Sequence, residues 1–211
     1  MTQHGGQLFL LGLAAGLALL TASSYRRVSP PWLRRLLFAV GAFVAFRYVA
    51  VALFAQAANP HDVWVWRHAW FATAVGLTLP SVVAVDQLLR HPAMTPAKLL
   101  TWYSPFLAAY AAIILFGGYV AAPEASGGWT LHLTPEWRTL LIVTQAVFVL
   151  GFIGIAGFVI MKFPLPRVRA ALAGLIAAHL GLSTHRLPAE LFALLALWYA
   201  FETAAELQRA A

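Results

Sequence analysis

In the stretch GAFVAFRYVAVALF, residues 41 to 54, one arginine stands in an otherwise apolar run with a tyrosine beside it. A guanidinium stays charged, presents five N–H donors in a planar fork and accepts no hydrogen bond. In apolar surroundings Arg47 therefore needs acceptors from elsewhere in the chain. Counting about 1.5 Å per residue along each apolar segment brings Gln145 and His179 to the depth of Arg47, together with Thr78 and Tyr110. Glu202 falls about two turns lower and meets Arg47 if both side chains extend toward each other. These six residues are the candidates for a buried polar layer, which either fixes helix register or receives a ligand's polar group or a proton. Asp86, Glu190 and Glu206 fall near segment ends, where water or headgroups reach them.

Other chemistry is poorly served. There is no cysteine, which excludes disulfides, thiolate metal sites and cysteine nucleophiles. His179 has no second histidine at its depth, so a bis-histidine haem is not expected. His61, His68, His132 and His185, with Asp62 and Glu136, are suitable metal-ligand types but lack the tight spacing of a metal motif, and no metal is assigned. The sequence contains no GxSxG elbow, HExxH pair or phosphate-binding glycine loop. No catalytic residue is named, and no cofactor is expected. A bound lipid or quinone is the ligand class that an apolar chain with a buried polar layer suits.

The elements that must position these residues follow from composition. Of 211 residues, 62% are hydrophobic and 10% charged, against about a quarter charged in a soluble domain. Seven apolar segments run roughly over 7–23, 34–56, 68–89, 99–121, 137–161, 168–184 and 188–207. Each is near the 17 to 25 or so helical residues that cross a hydrocarbon core, and none sustains a period-two alternation. The expected fold is an all-α integral membrane protein, a single domain over 1–211 built as a bundle of seven transmembrane helices. Pro80 and Pro105 should kink the third and fourth. Small residues at four-residue steps, Gly12 and Gly16 in the first segment and Ala170, Gly174 and Ala178 in the sixth, are read as contacts within the bundle. So are Gly151, Gly154 and Gly157 of the fifth.

Charge sets the orientation. Arg26, Arg27, Arg34, Arg35, Arg90, Lys98, Lys162, Arg167, Arg169 and Arg209 fall on one side, and only Arg67, Arg138 and Arg186 on the other. The positive-inside rule then places the amino terminus outside and the carboxyl terminus in the cytoplasm, in the plasma membrane. No Lys or Arg precedes the first apolar run, the reverse of a signal peptide's charge order. The basic balance is thus topological, and nucleic acid is excluded as a partner. Tryptophans gather at the outer ends, as an aromatic belt does. Trp66, Trp129 and His132, in NPHDVWVWRHAW and SGGWTLHLTPEW, are the candidates for an outward cap or docking surface.

The helix count and orientation, LTLPSVVAV in the third segment, the Gly-Trp outer loop SGGWTLHLTPEW, and the basic turn FPLPRVRAAL before a short sixth helix resemble the seven-helix sensory region N-terminal to bacterial histidine kinases. The resemblance does not include the kinase module, and no site residue is carried over from it. It implies a sensory or regulatory role, with a small or lipidic ligand or a membrane partner. Two alternatives stand beside it. One is a non-catalytic subunit of a larger membrane complex. The other is a small transporter or ion pathway through the Arg47 layer. Expected partners are the lipid bilayer and another membrane protein or a further copy of the chain.

Overall fold

Proline opens most of the α-helices. In the computed structural model, which describes residues 3–89, 94–124, 128–182 and 187–210, the helices α2 (Pro31–Gln56), α4 (Pro96–Phe116), α5 (Pro135–Lys162) and α6 (Pro166–Leu182) each begin on a proline. At the first helical position the missing N–H is one that the helix could not have used, and the fixed φ is already helical. The remaining helices among the described residues are α1 (Gln3–Ser24), α3 (Ala72–Leu89) and α7 (Leu187–Ala210). Among the described residues, six stretches are long and apolar enough to cross a membrane; α6, at 17 residues, is the short one. Arg90, His91, His185, Arg186, residues 183–184 of the sixth segment, and Ser126 and Gly127 of the Gly-Trp loop lie outside the described residues.

Two segments depart from expectation. The third is not one helix over 68–89. It begins as a 3-10 segment, Pro60–Ala69, breaks at Trp70 and Phe71, and continues as α3. Asn59 starts it by accepting a hydrogen bond from the His61 N–H at 3.0 Å, and the whole of Pro60–Leu89 forms one apolar stretch. The fourth segment does not run to 121. Helix α4 stops at Phe116, and Tyr119–Pro123 (β1) pairs antiparallel with Trp129–Leu133 (β2). Gly128, at φ +83°, makes the turn into β2 that an L-residue would resist. The hairpin marks one end of the bundle, here called the hairpin end; the loops rich in arginine mark the other.

Successive helices pack on one another and α7 returns to α1, with α3 enclosed among α2, α4, α5, α6 and α7. The Pro60–Leu89 stretch is 72% buried where the other five long stretches are 28–50% buried. Its neighbours come close because Gly76 allows it: a Cβ there would lie 1.8 Å from the Val44 side chain. The interior is filled by Leu33, Leu37, Leu77, Leu79 and Leu172. The outside is equally apolar: Ile142, Val147, Leu150, Ile155 and Phe158 of α5 all stand exposed. The glycine stripes of α1 and α5 also face outward. Added Cβ atoms at Gly12, Gly16, Gly151, Gly154 or Gly157 would meet nothing within 4 Å, and only Gly174 approaches another helix, at Ala196 of α7. The expectation of contacts within the bundle is corrected for α1 and α5.

Candidate functional site

Arg47 lies nine residues before the end of α2 at Gln56, so it is in the hairpin half and not at mid-helix. The helix break beside it explains its first contact. Ala74 N–H would serve the Trp70 carbonyl in a continuous α-helix but donates to Phe71 at 3.0 Å, and the Trp70 N–H turns back to Arg67 at 3.1 Å. The Trp70 carbonyl is left without its helical donor. Arg47 Nε–H supplies one at 2.7 Å. Arg47 Nη1 donates to Glu190 Oε2 at 2.6 Å, with side chains only 16% and 6% exposed. Glu190 sits in the first turn of α7, where the helix's positive end also favours a carboxylate. One side chain thus clasps α2, the broken third segment and α7. The guanidinium lies 5.4 Å from the Tyr48 ring. The buried Tyr48 hydroxyl faces Glu190 closely enough to interact with it, but it makes no hydrogen bond of normal geometry among the described residues.

The other predicted residues form separate clusters. Thr78 of α3 donates to the Ala74 carbonyl and accepts from the Tyr103 hydroxyl of α4. Tyr110 is buried beside them, and its hydroxyl makes no hydrogen bond of normal geometry among the described residues. Further along α3, Ser81 donates to the Leu77 carbonyl at 2.7 Å, so the 2.9 Å contact with His179 has the imidazole Nε2–H donating and the serine oxygen accepting. That arrangement does not activate a nucleophile, because the base offers its proton rather than its lone pair. His179 is held edge-on against Phe148 and Phe152 of α5, at 5.2 and 4.9 Å.

The single layer is therefore corrected to three clusters, and Arg47's partner is corrected from Glu202 to Glu190. Glu202 pairs with Arg27 at 2.9 Å at the arginine-rich end, where both are about a third exposed. Gln145 is half-buried on α5 and its amide makes no hydrogen bond among the described residues. Glu190 falls near a segment end, where water is expected to reach it, but it is 4% exposed. The signal that points to it is its place in the first turn of α7, which puts it in the same half of the bundle as Arg47.

Each end of the bundle carries a groove. At the hairpin end, about 790 Å³ lies between the start of the 3-10 segment (Asn59, His61, Trp64) and β1 (Tyr119, Ala121), with Trp129 beside it. Trp66 lies outside this groove, against Phe46 with rings 6.1 Å apart, and His132 is exposed on β2. Tyr119 O–H donates to the Ile113 and Ile114 carbonyls at 3.0 Å. His68 Nδ1 adds a 2.7 Å bond to Ile114, so these two side chains finish α4. Burial pushes the Tyr119 phenol up to about 12, despite Arg67 nearby, which keeps it a donor at working pH. At the opposite end, about 630 Å³ is lined by Arg27, Trp32, Asp86, Gln87 and Gln208. Comparison with protein-family models, curated proteins and solved structures gave no match.

Proposed function

We propose that the chain is a multi-pass protein of the plasma membrane with its hairpin end outside and its arginine-rich end in the cytoplasm, acting as a sensor or regulator. The observation that carries the reading is the Arg47 clasp. A buried cation among apolar helices is costly, and this one holds together the elements that join the two grooves. The outer groove is walled by the start of the 3-10 segment, whose far end meets Arg47 through Trp70. Glu190 then begins α7, the helix whose other end carries Gln208 into the inner groove. A lipid or quinone headgroup taken up among Trp64, Tyr119 and Trp129 would act on the 3-10 segment, and the clasp would pass the displacement to α7. The resemblance to seven-helix sensory regions points the same way.

The test uses the protein in liposomes with a fluorophore on a Gln208→Cys variant, titrated with a short-chain quinone and, separately, with anionic and zwitterionic lipid. Saturable fluorescence change that disappears in the additional Arg47→Met variant is expected. Saturable binding at the outer groove with no response at position 208 in any titration would sink the sensor reading. The subunit alternative has its own support in the outward stripes Gly12/Gly16 and Gly151/Gly154/Gly157, which leave room for a foreign helix to approach. Native mass spectrometry showing a fixed set of partner chains would favour it.

A further inference from the structure

The two edges of the hairpin differ. β2 lies against α2 and α5, and a Cβ on Gly128 would stand 2.2 Å from the Ala55 carbonyl oxygen, so nothing fits between them. β1 has no strand on its other side among the described residues. The ladder fixes which groups face that open edge. Thr134 N–H donates to Gly118 at 2.9 Å and Glu124 N–H to Gly128 at 3.1 Å, so the even-numbered residues of β1 are those bonded to β2. Tyr119, Ala121 and Pro123 therefore turn their backbone groups outward: two N–H donors, since proline has none, and three carbonyls. The strand, YVAAP, has no charge to discourage pairing.

We infer that this edge pairs with β1 of a second copy of the chain, giving a sheet ordered β2–β1–β1–β2 across a two-fold axis. The edge is self-complementary. With Val120 opposite its counterpart, Tyr119 of each copy exchanges both backbone bonds with Ala121 of the other. All four free donors are then satisfied, and Pro123 falls beyond the pairing, where its missing N–H is not needed. A two-fold axis perpendicular to a strand makes it antiparallel to its own copy. Such an axis along the membrane normal keeps both hairpins on one face, so the arrangement rests on the membrane reading above for its axis, though not for its edge. A strand end-on to lipid or a single peptide in the groove would not need this symmetry.

The chain has no cysteine, so Val120→Cys or Ala121→Cys introduces the sole thiol. Oxidation in native membranes should link two copies through position 120, and more weakly through 121. The position paired with it on the covered strand, His132→Cys, also exposed, should yield less than a tenth as much. Copies carrying Val120→Lys should lose association with one another at least tenfold, as should copies carrying Val120→Glu, whereas a mixture of the two should recover it, because opposed like charges repel and opposite ones attract. Failure to cross-link at both 120 and 121, or equal cross-linking at 132, overturns the inference, as does loss in the mixed pair. A membrane-impermeant maleimide separates this from the membrane reading. Cross-linking without labelling from outside retains the edge and rejects the orientation; labelling without cross-linking does the reverse.

Discussion

Arg47 makes its two hydrogen bonds to the Trp70 carbonyl, which lacks its helical donor, and to the buried Glu190 carboxylate, and this sets what happens when either end is changed. Glu190→Gln removes the countercharge of a buried cation, and breaking such a pair costs about 3–5 kcal/mol. Arg47→Met leaves a buried carboxylate and strips the Trp70 carbonyl of its donor, with a loss of similar size. Combining Arg47→Met with Glu190→Leu removes both charges, and thermal melting in detergent should then show at least half the loss recovered. Arg47→Lys should fail to substitute, since an ammonium lacks the fork that reaches Trp70 and Glu190 together. Glu202→Gln should cost under about 1 kcal/mol, as exposed pairs do, and should add to Arg47→Met without coupling. A coupling between Arg47 and Glu202 larger than that between Arg47 and Glu190 would refute the clasp. A similar asymmetry is expected inside the bundle. Ser81→Ala leaves the His179 N–H unsatisfied, a cost of about 1–3 kcal/mol. His179→Leu leaves Ser81 still bonded to Leu77 and should cost no more than that substitution in the melting experiment.

Helix α3 is enclosed because Gly76 lets it touch α2, and this contact can be measured. Gly76→Ala improves helix propensity by about 1 kcal/mol. It also drives a methyl into Val44, and overpacking of this kind costs about 1–3 kcal/mol. The net effect should be a lower melting temperature, reversed when Val44→Ala makes room: the double variant should be more stable than Val44→Ala alone. A melting temperature for Gly76→Ala alone that is unchanged or higher would mean that the helices separate freely there. The elements themselves were unevenly legible. Seven apolar runs punctuated by proline and charge are enough to place seven helices, since length and hydropathy are local properties. The break at Trp70 is not local. NPHDVWVWRHAW has no helix-breaking residue after Pro60, and its 3-10 winding is stabilised by Arg47, 23 residues earlier. The hairpin was hidden for a related reason: YVAAP continues an apolar run, and only its pairing with WTLHL across Gly128 makes it a strand. Arg47 was conspicuous as a lone charge, whereas its partner was not. Glu190 resembles an ordinary first-turn acid until tertiary packing closes over it.

At the scale of the molecule, alternating ends and a cysteine-free chain allow a direct test of orientation. Glu124 and Leu165 are exposed at opposite ends of the bundle. In intact cells, Glu124→Cys should react with an impermeant maleimide, and Leu165→Cys should react only after permeabilisation. Reaction of both from one side would mean an even number of crossings between them, so that α5 does not span. The 3-10 winding of Pro60–Ala69 has a further mechanical consequence. Ten residues advance about 20 Å as a 3-10 helix but about 15 Å as an α-helix. The segment therefore stores about 5 Å of slack in a span whose lower half is gripped on every side. Rewinding it would shorten the tether between the hairpin end and α3 by about one helical pitch. That stroke exceeds the length of a hydrogen bond, so Arg47 could not keep hold of Trp70 through it. The chain would have two lengths for one crossing, and the arginine would register which of them is in use.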